Sequence, residues 1–357
     1  MHKKTSSNPA GFAKLQRGLT GDRSLIGGTY MENPAMLAAY LDFYWPISRA
    51  QAAHAIALSS RFYPAAKKVL DVGSGPGPVA AAFIDAGAEA VFLVDQSRKA
   101  LDLALRELPR RCRHSPPFPH LSILACGIEN PDPAKIPLWG AIDCISFGHS
   151  LNELFSGDPA RIEKRVALLA RYAEGLAAGG RILVIEPALL STSRDLLSVR
   201  NLLVERGWKV RAPCVGRDSL PCPALEAGPQ HTCHEEVFWK IPLAVERLAD
   251  SMKLDKESLK MTWFFLEPPG VPIASDTGIY RVVSDPMLNK AGRVRRLICG
   301  AAGRFPLSAA GDSKASARVS FDALRRGDFI RVENPEIRGN GWGVGDDTVI
   351  EVVGGKK

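Results

Sequence analysis

The segment Lys68-Val-Leu-Asp-Val-Gly-Ser-Gly-Pro-Gly77 is where this sequence first shows residues spaced to do chemistry. The apolar run Val69 to Val72 leads into alternating glycines, Gly73, Gly75 and Gly77, and Pro78 then suits the first turn of a helix. Glycines there let the backbone approach a ligand closely and take positive φ. The helix N-terminus beyond them offers unpaired N–H groups and a partial positive charge. A dinucleotide loop reads G-x-G-x-x-G. The spacing here is G-x-G-x-G, with an acid, Asp71, just before it. That acid suits a ligand with a cationic amino-acid end, S-adenosylmethionine (SAM), better than a pyrophosphate. A second apolar run, Ala90 to Val94, ends at Asp95, where a carboxylate can accept both ribose hydroxyls. Together these segments predict a SAM site made from Asp71, Gly73, Ser74, Gly75, Gly77, Asp95 and Gln96. The alternative is a glycine-rich turn without a ligand.

Ligands of such sheets bind at the carboxyl ends of the strands. Gly127, after a third strand-like run at Ser122–Ala125, is therefore placed to flank the adenine. Gly148-His149-Ser150-Leu-Asn152-Glu153 follows a fourth run at Ala141–Ser146, facing methyl donor and acceptor. Ser150 is assigned to the cofactor, and His149 and Asn152 are the catalytic candidates. The plainer alternatives are a structural hydrogen-bonding His and a helix cap at Asn152 and Glu153. The Asn/Asp-Pro-Pro-aromatic motif of exocyclic-amine methylation is absent, as is a Pro-Cys nucleophile after the fourth strand. Methyl transfer needs little beyond a positioned acceptor and a base, so these absences leave enzymatic activity open.

The cysteines form a second group. Cys214-x7-Cys222-x10-Cys233, with Cys299 further on, supplies four thiolates, enough for a structural zinc or a [4Fe–4S] cluster. Pro213, Pro221 and Pro223 stiffen this stretch, and His231 and His234 are spare nitrogen ligands that would favour zinc. The spacing is looser than C-x2-C, so incidental buried thiols remain the alternative.

These groups need a scaffold. Strand-like runs alternate with helical ones from Lys67 to about Pro213, which predicts an α/β fold with a doubly wound parallel sheet, the Rossmann-like class I SAM methyltransferase fold. The expected divisions are a flexible tail (1–28), a helical cap (29–64) broken at Pro46, and a SAM-binding domain (65–270). A Cys-rich insertion (213–258) interrupts that domain, and a small β-rich C-terminal module (271–357) contributes Cys299. Ala178-Gly-Gly180 reads as a helix C-cap, and Val319 to Phe321 as one of the late strands. No stretch approaches the roughly 20 apolar residues of a membrane span. The N-terminus is basic and rich in hydroxyls, either a frayed tail or a short organelle-targeting segment. A net charge of +8 favours a polyanionic partner. The arginine clusters 106, 110, 111 and 113 and 293, 295, 296 and 304 are candidate phosphate contacts, with Arg110, Arg111, Arg295 and Arg296 foremost.

The helical segment at Ala39-Tyr40 and Pro46, the glycine loop, His149-Ser-Leu-Asn-Glu-Leu154, Ala212-Pro-Cys214, Pro221-Cys222-Pro223, Cys233-His234 and Val294-Arg-Arg-Leu-Ile-Cys299 together resemble one family. It is the small-ribosomal-subunit assembly family of methyltransferase-like protein seventeen and its bacterial relatives. The resemblance runs from about Tyr30 to about Arg304. It implies a [4Fe–4S] cluster on Cys214, Cys222, Cys233 and Cys299, and binding to small-subunit ribosomal RNA as an assembly factor, with rRNA methylation an inferred activity. It also implies a bacterial cytoplasmic setting, or alternatively the mitochondrial matrix. The chain departs from the family pattern at Thr232, where an aromatic commonly stands, and at Glu235, where an apolar residue does. The other readings are a methyltransferase of a small molecule or other RNA, and a non-catalytic RNA-binding module with a vestigial SAM site.

Overall fold

The computed structural model describes residues 9–25, 30–113, 117–217, 219–270, 278–290 and 292–353. Helices α1 (Pro9–Gln16), α2 (Pro34–Asp42) and α3 (Tyr44–Ser59) precede the first sheet. That sheet takes β1 (Lys68–Val72), β2 (Ala90–Asp95), β3 (His120–Ala125), β4 (Ile142–Gly148) and β5 (Leu176–Pro187) as its parallel part. Helices α4 (Pro78–Asp85), α5 (Arg98–Arg111) and α6 (Arg161–Ala173) connect them. After β5 come α7 (Leu190–Glu205), β6 (Lys209–Ala212), α8 (Pro223–Glu226), β7 (Glu235–Phe238), α9 (Leu243–Ser251) and β8 (Ser258–Glu267). The strand order is β3-β2-β1-β4-β5-β8-β6, with β8 antiparallel to β5 and β6 and with β7 on its far half. This is the Rossmann-like class I methyltransferase fold expected from the sequence. The order reverses between β1 and β4, which opens the crevice where such sheets bind ligands.

Alternation along the strands explains the layers. Val69, Val91 and Leu93 meet α3, α4 and α5 on one face. Leu70, Val72, Phe92 and Val94 meet the face covered by α6 and α7. Burial on both faces is why these strands read as unbroken apolar runs.

A second sheet follows, built from β9 (Ile279–Val282), β10 (Met287–Leu288), β11 (Arg293–Gly300), β12 (Gly303–Ala310), β13 (Phe329–Glu333), β14 (Glu336–Arg338), β15 (Gly341–Gly343) and β16 (Val349–Val352), with α10 (Lys314–Arg318) after β12. Its order is β14-β15-β12-β11-β9-β13-β16, and Val282, Ile298, Leu307, Phe321 and Ile330 form its own core. No helix among the described residues is long and apolar enough to cross a membrane.

Several local expectations are corrected. The segment expected to be a flexible tail (1–28) contains α1 within its described part, and Phe12 and Leu15 are fully buried. Phe12 packs on Phe43 at a ring distance of 4.6 Å, so tertiary burial overrides a Gly- and Ser-bearing composition. The cap breaks at Phe43 rather than Pro46. Pro46 lies in the first turn of α3, where its missing N–H costs nothing. Ala178 to Gly180 belong to β5. Gly179 takes φ +75° beside a register shift against β4, so the glycines make a bulge rather than a cap. Val319 to Phe321 is no strand: it caps α10 and enters a 3-10 turn.

If α1 is integral, Phe12→Ala lowers the free energy of unfolding by about 3 kcal/mol or more in urea denaturation. A dangling tail would leave it unchanged.

Candidate functional site

The glycine loop is shaped by one close approach. Gly73, at φ +68°, lies so near Ser150 that any Cβ there would collide with the serine's own Cβ. Ser150 Oγ donates to the Val72 carbonyl at 2.9 Å, tying the ends of β1 and β4 together across the crevice. Gly75 and Gly77 also take positive φ, at +51° and +77°, and Gly77 starts α4. The Gly75 N–H donates to Asp95 Oδ2 at 2.8 Å, and the Ser97 N–H to Asp95 Oδ1 at 2.8 Å. Burial raises the Asp95 carboxyl above its ordinary range, against these hydrogen bonds. Gln96 is exposed at the rim, and Gly127 is exposed at the end of β3.

Asp71 has a different place from the one its position in the motif suggests. It is buried beneath the loop, taking the Ser146 hydroxyl at 2.7 Å and the Ala80 N–H at 3.2 Å. Burial pushes its carboxyl up to about 7. Asp71 therefore positions the loop and the start of α4. Ser74 Oγ is buried without a hydrogen-bond partner, an unmet polar atom inside the loop.

On the acceptor side, His149 sits at φ +62° with its Nε2 2.8 Å from Gln51 Oε1. The Gln51 amide nitrogen is committed to the Lys260 carbonyl at 3.1 Å. Gln51 thus presents its oxygen, His149 Nε2 carries the proton, and Nδ1 is the ring's acceptor. Burial lowers the imidazole to about 4, so it is neutral near pH 7. Asn152 is fully engaged. Its backbone N–H donates to Glu186 Oε1 at 2.9 Å, its amide nitrogen to Glu186 Oε2 and the His149 carbonyl, and its Oδ1 accepts from Arg23. Glu186, at the carboxyl end of β5, is 1% exposed, and burial pushes its carboxyl up to about 8. The sequence reading passed over Glu186. An acid ending the apolar run Ile182–Ile185 was the available signal, because sites gather at strand ends.

The four candidate ligands come together. Cys214, Cys222 and Cys233 from the insertion and Cys299 from β11 line one pocket at the junction of the two sheets. Burial pushes the Cys222 and Cys299 thiols up to about 12, with the neighbouring cysteine thiols adding to it. Among the described residues, however, no group of three His, Cys, Asp or Glu is drawn tightly enough to grip a single metal ion. The four cysteines share the lining of that one pocket. Its walls carry Arg200, Arg217 and Arg281, all under 10% exposed, and each has an Nε without a partner. Among the described residues that line it, one is a carboxylate: Glu235, which pairs with Arg281. The acid that departs from the family pattern therefore neutralises a buried arginine. The spare nitrogens divide: His234 lines the pocket with its Nδ1 unpartnered, whereas His231 does not line it.

The arginine clusters separate in the same way. Arg106, Arg110 and Arg111 gather around Glu107, with Arg110 reaching into solvent. Arg295 is exposed. Arg296 is 4% exposed and donates to the Asp322 carbonyl, so it cannot meet a phosphate.

No protein-family model matches this chain, and no curated protein matches it at a significant level. Solved structures do. A putative RNA methyltransferase from Pyrococcus horikoshii is 14% identical over 61% of this chain and 83% of its own, with a TM-score of 0.37. The N-methyltransferase NodS of Bradyrhizobium japonicum, in complex with S-adenosyl-L-homocysteine, is 15% identical over 72% and 98%, with a TM-score of 0.38. Magnesium protoporphyrin IX methyltransferase from Synechocystis, with bound SAM, is 12% identical over 74% and 100%, with a TM-score of 0.36. Likeness this distant says nothing of substrate, and the fold assignment rests on the strand order above.

Glu186 makes stability depend on pH. Its carboxyl moves from 4.5 to about 8 on folding, so between those values the folded chain binds more protons than the unfolded one. That contribution is present at low pH and is lost as pH rises toward 8. Urea denaturation from pH 5 to 8 should show a decline in stability that is shallower in Glu186→Gln; an identical slope would remove Glu186 as its source.

Proposed function

We propose that this chain is a SAM-binding, iron–sulfur protein that acts on small-subunit ribosomal RNA, as an assembly factor and possessor of a methyl-transfer cleft. The observation that carries the reading is the meeting of Cys214, Cys222, Cys233 and Cys299 in one pocket whose arginines outnumber its carboxylates. Four thiolates around a [4Fe–4S]2+ core, or around zinc, make a dianion, which would answer the buried positive charge and the unpaired Arg200, Arg217 and Arg281 Nε groups. Four thiolates suit either group, and the family resemblance favours the cluster over zinc.

For the donor, the residues present fit SAM. Asp95 offers lone pairs to ribose hydroxyls, Ser74 Oγ is an unmet polar atom, and the loop glycines admit close backbone approach. Bound SAM would supply an electrophilic methyl group. This chain's part would be to orient the acceptor at Asn152, exclude water, and take a proton at His149 Nδ1. The RNA partner rests on the family resemblance and on the net charge of +8. A bacterial cytoplasmic protein is the matching setting. The enclosure of Asn152 and Glu186, both under 10% exposed, favours one second reading, a small-molecule acceptor.

Calorimetry should show SAM binding to the wild type and none to Gly75→Arg, which forces a side chain onto a backbone at φ +51°. No heat with either protein would overturn the donor assignment. The anaerobically purified chain should be brown, contain iron and sulfide, and lose both in Cys299→Ser. It should also enrich small-subunit rRNA in crosslinking with sequencing. Stoichiometric zinc without iron would sink the cluster, and background-level RNA would sink the partner.

A further inference from the structure

The described parts of the N-terminal segment cross the mouth of the cleft at several points. The side chain of Met31 is the neighbour nearest the Cβ position of Gly75, at 3.6 Å. Glu32 accepts the Ser97 hydroxyl at 2.7 Å and pairs with Lys99 at 3.0 Å, both just beyond Asp95. Tyr30 is held with its hydroxyl protonated by burial, with Glu153, then Tyr40, then Asp95 adding to it. These contacts cover the donor half.

Arg23 covers the acceptor half. Its guanidinium donates to Asn152 Oδ1, and the carboxyls of Glu186 and Glu153 are the acidic groups acting on it most strongly. Its backbone takes φ +59°, a conformation that costs a side-chain-bearing residue on the order of 1 kcal/mol. Side-chain contacts must offset that cost. The niche it enters has a defined polarity. The Asn152 amide nitrogen is turned inward, to Glu186 and the His149 carbonyl, so Oδ1 is the atom facing the occupant. An Asn152 Oδ1 turned toward its occupant selects N–H donors, and the occupant it holds, a guanidinium, is planar.

We infer that this niche is the acceptor subsite for a planar conjugated amino group, and that Arg23 is the resting occupant which that group displaces. The inference rests on reading the cleft as a methyl-transfer site. It names the class of acceptor and makes the N-terminal segment its competitor. Arg23 then competes with the acceptor, which enters by taking over its hydrogen bond to Asn152.

The test is chemical rescue on the full chain with methylguanidinium, a detached copy of the Arg23 head group. Arg23→Ala should melt below the wild type, and millimolar methylguanidinium should restore about 2 °C or more of the loss. Methylammonium, equal in charge but not planar, should restore nothing, and the wild type should respond to neither. An unchanged melting temperature in Arg23→Ala, equal rescue by both cations, or an equal response of the wild type would each overturn the inference. Should Arg23→Ala not fold, Arg23→Gln, which keeps a planar N–H donor on a shorter arm, carries the same comparison. SAM calorimetry on the same samples separates the two claims. Rescue without SAM binding defeats the donor reading alone, and SAM binding without rescue defeats this one alone.

Discussion

Arginine buried between two sheets has to find negative charge, and among the described residues that line the junction pocket Glu235 is the one carboxylate that supplies it. A guanidinium taken from water without a partner is among the costliest groups a fold can hold. Arg281 lies in register with Cys299 on neighbouring strands of the second sheet, so whatever settles the charge also settles how that sheet docks. Arg217 reinforces the joint by donating to the Gly300 and Ala301 carbonyls, and Arg326, paired with Asp285 in its own module, does so at His234. Several of the polar contacts that position the C-terminal module thus gather around one pocket.

Helix α3 contacts both this pocket and the cleft. His54 on α3 stands 3.6 Å from Glu235, and burial beside Arg281 keeps its imidazole neutral, lowered to about 4. One turn earlier on that helix, Gln51 reaches the Lys260 carbonyl on β8 and the ring of His149. Residues three apart share a helix face, so α3 presents one polar face to both centres. The Ala-rich stretch of α3 lets it lie close against α4 and β8, which is what brings Gln51 and His54 within reach.

Inside the cleft, polar groups that look like ligand contacts do positioning work. Asp71 and Ser150 spend their side-chain hydrogen bonds on protein atoms, and Asn152 spends its amide N–H groups there while its Oδ1 faces the cleft. Fully satisfied networks of this kind hold a loop in one place. The unmet atom, Ser74 Oγ, and the close approach of Gly73 to Ser150 mark where the loop is shaped for something other than itself.

The parallel sheet, the glycine loop and Asp95 were legible from the amino-acid sequence because each is a local property. A strand buried on both faces is an apolar run, a tight loop needs glycine at fixed offsets, and the acid at the next strand end follows by counting. The candidate thiols were legible as residues, though not as neighbours. Tertiary structure alone decided the rest. Arg23 meets Asn152 across 129 residues, Arg281 meets Glu235 across 46, and Asn152 meets Glu186 across 34. It also turned a Gly- and Ser-bearing N-terminus into a buried helix, Ala178–Gly180 into a bulge, and Arg296 from a surface cation into a buried one. The physical reason is common to all of these. Composition and periodicity report what a segment would bury, whereas the partner of a buried charge is set by which strands become neighbours.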